Sequence, residues 1–151
     1  MIYLIRHADA VSADEDPERP LSEKGRGQVA EVCRILRREP GFEPAEIWHS
    51  PLVRSRETAQ LLAQGLGLSA PLVLRAGLEP EDDPGKIAAV LAAQDRDIAL
   101  VGHEPHLGAL AALMAEGPGR AGLVIPFRKA GVMALSRKGR RWRSEWLARS
   151  P

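Results

Sequence analysis

The chain alternates short apolar runs with longer segments whose apolar residues recur at helical spacing. This alternation predicts a mainly parallel sheet with helices on both faces, because parallel strands need a crossover connection that is usually helical. We therefore expect an α/β fold with three layers, α/β/α. The predicted strands are Ile2–Ile5, Glu46–His49, Pro71–Leu74 and Asp97–Val101. The predicted helices begin at Ser22, at Ser50-Pro51, at Lys86 and at Leu107.

The C-terminal part departs from this alternation. Two strand-like runs, Leu123–Phe127 and Val132–Ser136, follow a stretch rich in Gly and Pro, Glu116–Gly122. Between positions 142 and 146, two tryptophans and a serine alternate with charged residues, and Lys138-Gly139 supplies a turn before them. Such a pattern is typical of a β-hairpin. We expect it to form an antiparallel edge of the sheet.

Length, charge and composition limit the kind of protein. The length of 151 residues fits a single domain, 1–151. The net charge of +1 argues against nucleic-acid binding through overall charge. The longest uncharged, mostly apolar helical run, Leu107–Ala115, has nine residues, whereas a membrane span needs roughly 20. No signal peptide is visible after Met1, and Cys33 is the single cysteine. We expect a cytoplasmic domain without membrane attachment.

Polar residues directly follow three of the predicted strands. Arg6-His7 follows the first, the segment from Ser50 to Arg54 follows the second, and Gly102-His103 follows the fourth. In an open parallel sheet, ligands bind outside the carboxyl ends of the strands. We therefore expect two arginines and two histidines to converge there.

The chemistry of this cluster favours a phosphate ligand. Arginine offers a planar fork of donors that matches phosphate oxygens, and Arg54 is expected in the first turn of a helix, where backbone donors also attract anions. Two arginines would repel a divalent metal ion, so we expect neither a metal nor another cofactor. A histidine at such a site can bind the anion as imidazolium or attack phosphorus as neutral imidazole.

Four segments together resemble the histidine phosphatase superfamily, whose fold is phosphoglycerate mutase-like. They are Ile5–Ala8, Pro20–Gln28, Ser50–Ala59 and Leu100–Pro105, and the resemblance extends from residue 2 to about residue 135. Short length and two local segments, positions 6–10 and 78–80, are most similar to the SixA-type phosphohistidine phosphatases. The resemblance implies that His7 is the nucleophile that becomes phosphorylated. It also implies that Arg6, Arg54 and His103 form the phosphate pocket around it.

One segment departs from the pattern of the superfamily. Many members carry a general acid in a Leu-x-Glu segment, and the matching segment here is Leu78-Glu79-Pro80, with proline in the acid's place. Glu79 and Asp82 are nearby candidates for a proton donor, although the sequence assigns the role to neither. A phosphorylated imidazole can leave as neutral imidazole without such an acid, whereas an alkoxide needs a proton. This favours a phosphohistidine substrate.

The expected activity is that of a metal-independent phosphatase that forms a phosphohistidine intermediate. The expected partner is a phosphorylated protein, a phosphohistidine carrier or phosphotransfer domain, because the short chain has no long insertion to cover a small ligand. Two alternatives stay open: a small-molecule phosphomonoesterase, and a phosphate-binding or phosphoprotein-binding module without turnover. The sequence leaves the oligomeric state open.

Several other residues permit two interpretations. His106 follows His103 by three positions, but a third metal ligand is missing, so a metal site is disfavoured. His49 is a structural residue or a group at the edge of the pocket, and Thr58 either faces Arg54 or packs inside. Cys33 is expected to be an inert core residue.

Charged segments also allow two interpretations. The basic run 137–143 could bind nucleic acid, but charged residues are usual at a hairpin tip and discourage sheet aggregation. We therefore expect no nucleic-acid partner. The acidic stretches Asp14–Glu18 and Glu81–Asp83 are solvated loops or, at the pocket rim, would favour a basic protein surface. Arg128-Lys129 belong either to the pocket rim or to the general surface.

Overall fold

The computed structural model describes residues 1–117 and 123–149, which form one six-stranded sheet and four helices. The strands are β1 (Ile2–Arg6), β2 (Glu46–His49), β3 (Leu72–Leu74), β4 (Ile98–Gly102), β5 (Val132–Lys138) and β6 (Arg141–Ala148). The helices are α1 (Glu23–Leu36), α2 (Val53–Leu66), α3 (Pro84–Ala92) and α4 (His106–Glu116).

The strand order is β3-β2-β4-β1-β5-β6. The pairs β3–β2, β2–β4 and β4–β1 are parallel, and the pairs β1–β5 and β5–β6 are antiparallel. This confirms the predicted α/β fold with a mainly parallel sheet and an antiparallel C-terminal edge. Register places Arg6 opposite Gly102 and His49 opposite Val101. The carboxyl ends of the three central parallel strands therefore lie side by side.

Helices cover both faces of the sheet, as a three-layer fold requires. On one face, α1 and α2 pack on alternate strand residues that include Ile5, Ile47 and Val101. On the other face, α3 and α4 pack on the intervening residues, such as Leu4 and Leu100. Side chains alternate between faces along each strand, and each face here is apolar because each is covered.

Helix α1 begins as the sequence predicts, whereas α2 begins later than predicted. Ser22 caps α1 as expected, because its side chain accepts a hydrogen bond from the backbone N–H of Gly25. Ser50-Pro51, in contrast, does not start α2, whose N-cap residue is Leu52. The Ser50 hydroxyl is instead engaged at the end of β2, in contacts described below.

The predicted strand Leu123–Phe127 is wrong. These residues form no strand, since β5 already occupies the free edge of β1. Pro126 also lacks the N–H that a ladder requires. The backbone N–H of Ile125 donates to the Gly108 carbonyl at 3.0 Å, so this segment lies over the start of α4. Of the predicted loop Glu116–Gly122, residues 118–122 lie outside the described part of the chain.

The predicted hairpin is confirmed. β5 and β6 pair from Val132 opposite Ala148 to Lys138 opposite Arg141, and Gly139 turns between them with a φ of 65°. A positive φ is the conformation that glycine adopts most easily. Among the helices of the described residues, none has the length and apolar character that crossing a membrane demands.

Candidate active site

The sheet brings together residues that are far apart in sequence. His7 follows β1 and His103 follows β4, and their ring centroids are 5.0 Å apart. The backbone N–H of His7 donates to the Gly102 carbonyl at 3.0 Å. Ser50 follows the neighbouring strand β2. The position agrees with the general rule that ligands bind at the carboxyl ends of parallel strands.

The His7 ring is held in a single orientation by the backbone. Its Nδ1 atom lies 2.7 Å from the carbonyl oxygen of Ala8, which can only accept a hydrogen bond. Nδ1 therefore carries the ring proton, and Nε2 retains its lone pair. The side chain is only 7% exposed. The arrangement leaves one nucleophilic nitrogen in a fixed direction.

Burial and neighbouring cations keep this imidazole neutral. Burial is the main cause that lowers the pKa of His7 to about 4, and the positive charges of Arg54, Arg6 and Lys129 lower it further. The hydrogen bond to the carbonyl of Ala8 acts in the opposite direction. At neutral pH, His7 is therefore uncharged and available for attack on an electrophile.

His103 is anchored by the residue that follows β2. Its Nε2 atom lies 2.6 Å from the Ser50 hydroxyl, and both side chains are buried. Burial first, then the charges of His7 and Arg54, lower the pKa of His103 to about 3. Its Nδ1 atom is buried and has no hydrogen-bond partner among the described residues. The structure thus presents a second neutral imidazole beside the first.

Two arginines complete the cluster. The Nη1 atom of Arg6 donates to the Phe127 carbonyl at 2.7 Å, and Arg54 is the second residue of α2. Burial lowers the pKa of Arg54, and the charge of Arg19 adds to that effect. The Nε atoms of Arg6 and Arg54 are both buried without a partner in the described chain. Two guanidinium groups, of which that of Arg54 lies at a helix N-terminus, suit an anion.

Thr58 connects the Arg54 helix to the His7 loop. Its hydroxyl accepts a hydrogen bond from the backbone N–H of Ala8 at 3.0 Å and donates to the Arg54 carbonyl at 2.8 Å. The side chain is 1% exposed. Of the two interpretations that the sequence allowed, Thr58 therefore faces the Arg54 side and supports the backbone beside His7.

Arg19 also lies near this cluster, although the sequence pattern did not indicate it. Its φ of 48° is unusual for a residue with a side chain, its Nε donates to the Val11 carbonyl at 3.0 Å, and its charge acts on Arg54. Only the adjacent motif at Pro20 could have drawn attention to it. Lys129, which the sequence left undecided, belongs to the surroundings of His7, since its charge acts on that ring.

The two candidate acids, Glu79 and Asp82, lie in one turn and contact each other. The Asp82 carboxylate accepts a hydrogen bond from the Glu79 backbone N–H at 2.8 Å, and the Glu79 side chain is exposed. Neither carboxylate is hydrogen-bonded to His7 or His103 in the structure. The charges of Asp82 and Asp83 act on His106 instead, where they oppose the lowering of its pKa by burial. The assignment of an acid stays a prediction.

The remaining histidines and the cysteine lie inside the fold. The Nδ1 atom of His49 donates to the Ser50 carbonyl at 2.9 Å. His106 is 2% exposed, and neither of its ring nitrogens has a hydrogen-bond partner among the residues that the structure describes. Within residues 1–117 and 123–149, no three His, Cys, Asp or Glu side chains are grouped closely enough to hold a metal ion. Cys33 is buried, and burial raises the pKa of its thiol.

Comparison with known proteins identifies the class. Residues 2–81 match the model of the histidine phosphatase superfamily (branch 1). The chain therefore belongs to this superfamily and is by class a phosphatase. An uncharacterized protein of Picosynechococcus sp. is 36% identical over 141 residues, with 89% of this chain and 83% of that protein covered.

Solved structures place the chain more narrowly within the superfamily. A protein assigned as the phosphohistidine phosphatase SixA of Agrobacterium tumefaciens is 27% identical, with a TM-score of 0.78 and coverage of 97% of this chain and 96% of that chain. The protein histidine phosphatase SixA complexed with tungstate shares the fold at a TM-score of 0.83 and 22% identity, with coverage of 96% and 94%. The α-ribazole phosphatase of Shigella flexneri shares it at 0.78 and 15% identity, with coverage of 99% and 98%. The likeness to SixA-type structures is therefore strong, while the common fold also includes phosphatases of small molecules.

Proposed function

We propose that this chain, as one domain spanning 1–151, is a metal-independent phosphatase that forms a phosphohistidine intermediate on His7. One observation supports this most directly: the His7 Nδ1 atom is bonded to the Ala8 carbonyl, which leaves Nε2 as a neutral nucleophile. The charges of Arg6 and Arg54 act on the same ring. In this proposal they bind the phosphoryl oxygens.

In the first step, the Nε2 lone pair of His7 attacks phosphorus. A new N–P bond forms while the bond from phosphorus to the leaving group breaks, and the electron pair departs with the leaving atom. Negative charge on the equatorial oxygens is offset by Arg6 and Arg54. The proton stays on Nδ1, where it is hydrogen-bonded to the Ala8 carbonyl, so the phosphorylated ring can carry positive charge.

His103 contributes a hydrogen bond in this scheme. The Ser50 hydroxyl accepts from the Leu52 backbone N–H at 3.2 Å and can donate its own proton to Nε2 of His103. His103 then carries its ring proton on Nδ1, which has no hydrogen-bond partner within residues 1–117 and 123–149. We assign that N–H to a phosphoryl oxygen.

In the second step, a water oxygen attacks the phosphorus atom of phosphorylated His7. The N–P bond breaks and its electron pair returns to Nε2. Both water protons leave with the phosphate product or pass from it to solvent. The enzyme is then restored with the same ring tautomer. All these groups belong to the protein or to water, and no step requires a metal ion.

The proposed substrate is phosphohistidine on a protein carrier or phosphotransfer domain. Pro80 stands where many relatives carry an acid, and the Asp82 carboxylate accepts a hydrogen bond from the Glu79 backbone N–H instead. A phosphorylated imidazole whose other nitrogen is protonated leaves as neutral imidazole, so it depends least on such an acid. The likeness to the Agrobacterium tumefaciens protein supports the same substrate class.

The decisive experiment compares two substrates with a chelator present throughout. Phosphate release is measured from a phosphohistidine carrier protein and from a phosphoserine peptide. We expect release from the first to exceed release from the second, and we expect His7→Ala to abolish both. An acid-labile phosphate should also be trapped on the wild-type enzyme at His7.

Other outcomes identify the alternatives. Equal or faster hydrolysis of small phosphate esters would instead support a small-molecule phosphomonoesterase, which the similarity to α-ribazole phosphatase favours. Binding of the phosphorylated carrier without phosphate release, abolished by Arg54→Ala but not by His7→Ala, would indicate a binding module.

A further inference from the structure

A third basic side chain is fixed next to His7 by an ion pair. The Lys129 ammonium lies 2.5 Å from the Oδ1 atom of Asp9, which is two residues after His7. The other carboxylate oxygen of Asp9 accepts a hydrogen bond from the Ser22 hydroxyl at 2.6 Å. Asp9 therefore joins the loop after β1 to a cation from the segment before β5.

Asp9 is itself held firmly by α1 and its N-cap. Its backbone N–H donates to the Gln28 side chain at 2.9 Å, and its carbonyl accepts from the Ser22 backbone N–H at 3.0 Å. Gly25 packs so closely that a Cβ atom there would lie 2.0 Å from the Asp9 carbonyl oxygen. The carboxylate is thus a fixed point to which Lys129 is attached.

The backbone next to Lys129 is attached to the catalytic loop as well. The N–H of Ala130 lies 3.1 Å from the Arg6 carbonyl oxygen and 3.3 Å from that of His7. Ala130 is buried and has a φ of 60°, a conformation that an alanine adopts only when its surroundings enforce it. Lys129 is therefore fixed at both its backbone and its ammonium end.

The ion pair between Lys129 and Asp9 is partly open to solvent. Side-chain exposure is 38% for Lys129 and 21% for Asp9, and pairs this open to solvent contribute little to folding stability. Asp9 offsets much of the Lys129 charge, and an entering anion would be attracted by the combined positive charge of Arg6, Arg54 and Lys129. The effect of Lys129 in lowering the pKa of His7 agrees with a location close to the ring.

We propose that Lys129, held in place by Asp9, is a further phosphoryl-binding residue of this site. This rests on the proposed phosphatase function, whose phosphoryl group is carried by His7. The ammonium acts as a compact point charge on an oxygen of the transferring group, complementing the forked guanidinium groups of Arg6 and Arg54. Asp9 is a positioning residue, because it acts through Lys129.

The test uses the oxyanion tungstate as well as turnover. Lys129→Met should weaken tungstate binding about 10-fold or more and lower kcat/KM by a similar factor, and Lys129→Arg should restore most of both. Lys86→Met, at an exposed position of α3, is the matched control and should behave as wild type. Asp9→Asn should lower kcat/KM in the wild-type background but have little further effect in Lys129→Met, since the two residues act together.

A separate readout excludes a purely structural role. The groups that act on the His7 ring are Arg6, Arg54, His103 and Lys129. Removing one cation should raise the pKa of His7, measured by NMR of its ring nitrogens, in Lys129→Met but not in Lys129→Arg. Tungstate affinity within twofold of wild type together with an unchanged pKa in Lys129→Met would overturn the assignment. Absence of turnover in the wild type would overturn the phosphatase proposal, and oxyanion affinity would still decide the role of Lys129.

Discussion

The Nε2 atom of His103 lies 2.6 Å from the hydroxyl oxygen of Ser50, and both residues are almost inaccessible to solvent. Ser50 directly follows β2 and His103 directly follows β4. One hydrogen bond therefore joins the ends of two adjacent strands. The Ser50 backbone N–H in turn donates to the Ser55 hydroxyl at 3.0 Å, at the start of α2. The orientation of His103 therefore depends on the serine-containing segment that sequence reasoning regarded mainly as a helix start.

Ser50→Ala should impair His103 more than it impairs folding. The substitution leaves a buried ring nitrogen and the Leu52 N–H unpaired, at a cost of about 1–3 kcal/mol in the free energy of unfolding. A misplaced imidazole should reduce kcat/KM by about 100-fold. Phosphate release and urea unfolding measure the two effects, with the half-buried Ser136→Ala as control. Normal turnover in Ser50→Ala would remove the assigned role of this hydrogen bond.

Thr58→Val should remove the hydrogen bond that links α2, the helix of Arg54, to the loop that contains His7. Valine has nearly the same shape but cannot accept from the Ala8 N–H, which becomes a buried donor without a partner. We expect turnover to fall, and stability to fall by about 1–3 kcal/mol. Thr58→Ser keeps the hydroxyl and should preserve most of the activity. If Val and Ser variants lose activity equally, packing and not the hydrogen bond is responsible.

Two glycines of α1 should respond to alanine in opposite ways. A Cβ on Gly25 would lie 2.0 Å from the Asp9 carbonyl oxygen, whereas nothing lies within 4 Å of a Cβ on Gly27. Gly25→Ala should therefore displace the loop after His7, costing about 1–3 kcal/mol and much of the activity. Gly27→Ala should stabilise the helix by up to about 1 kcal/mol without changing turnover. Thermal unfolding and phosphate release would reveal the contrast, and equal effects would contradict it.

Charge alone should not replace the Arg54 guanidinium. Arg54→Lys keeps the positive charge but loses the planar fork, so phosphate and tungstate should bind at least about 10-fold more weakly. Arg56→Lys, two residues further along α2 and exposed, is the matched control and should change neither affinity nor turnover. Wild-type affinity in Arg54→Lys would show that a simple positive charge is sufficient at this position.

The buried histidines predict lower stability in mild acid. The pKa values of His7 and His103 are about 4 and about 3 in the folded protein, against the ordinary value of 6.5. Between each lowered pKa and 6.5, the unfolded chain therefore binds more protons than the folded protein. The free energy of unfolding keeps its full value above pH 6.5 and decreases as the pH falls. The slope should reach about 1.4 kcal/mol per pH unit for each histidine. The lowered pKa of His106 acts in the same direction.

Urea unfolding at pH 7, 6 and 5 measures this slope. His7→Gln should reduce it, because one of the groups that titrates differently in the folded and unfolded states has been removed. A free energy of unfolding that stays constant from pH 7 to pH 5, or a slope unaffected by His7→Gln, would disagree with neutral buried imidazoles.

The sequence was sufficient for the six strands that form the sheet and for the four residues expected at its central cluster, although it also predicted one strand too many. Apolar runs with abrupt polar ends predicted that Arg6-His7 and Gly102-His103 would meet, and the register of β1 with β4 brings them together. The spacing of apolar residues does not show, however, how many strand edges of the sheet are free to pair with another strand. Leu123–Phe127 has strand-like composition but is excluded from the sheet because β5 occupies the available edge of β1.

Side chains that act across loops were harder to predict. Arg19 and Lys129 lie in irregular segments without periodicity, and their positions depend on backbone turns with positive φ at Arg19 and Ala130. Such conformations are uncommon outside glycine, so composition gives no sign of them. Ser50 had a recognisable cap pattern, but its hydroxyl is used by His103 through a contact 53 positions away.

The hydrogen bond from His7 to the carbonyl of Ala8 has an evolutionary consequence. The acceptor is a main-chain oxygen that every amino acid at position 8 would supply, so no point mutation can delete it directly. Substitutions elsewhere can alter the pocket rim or the preferred leaving group while the reactive nitrogen of the proposed nucleophile stays the same. Proteins that share this loop can therefore acquire different substrates while the proposed attacking nitrogen stays unchanged.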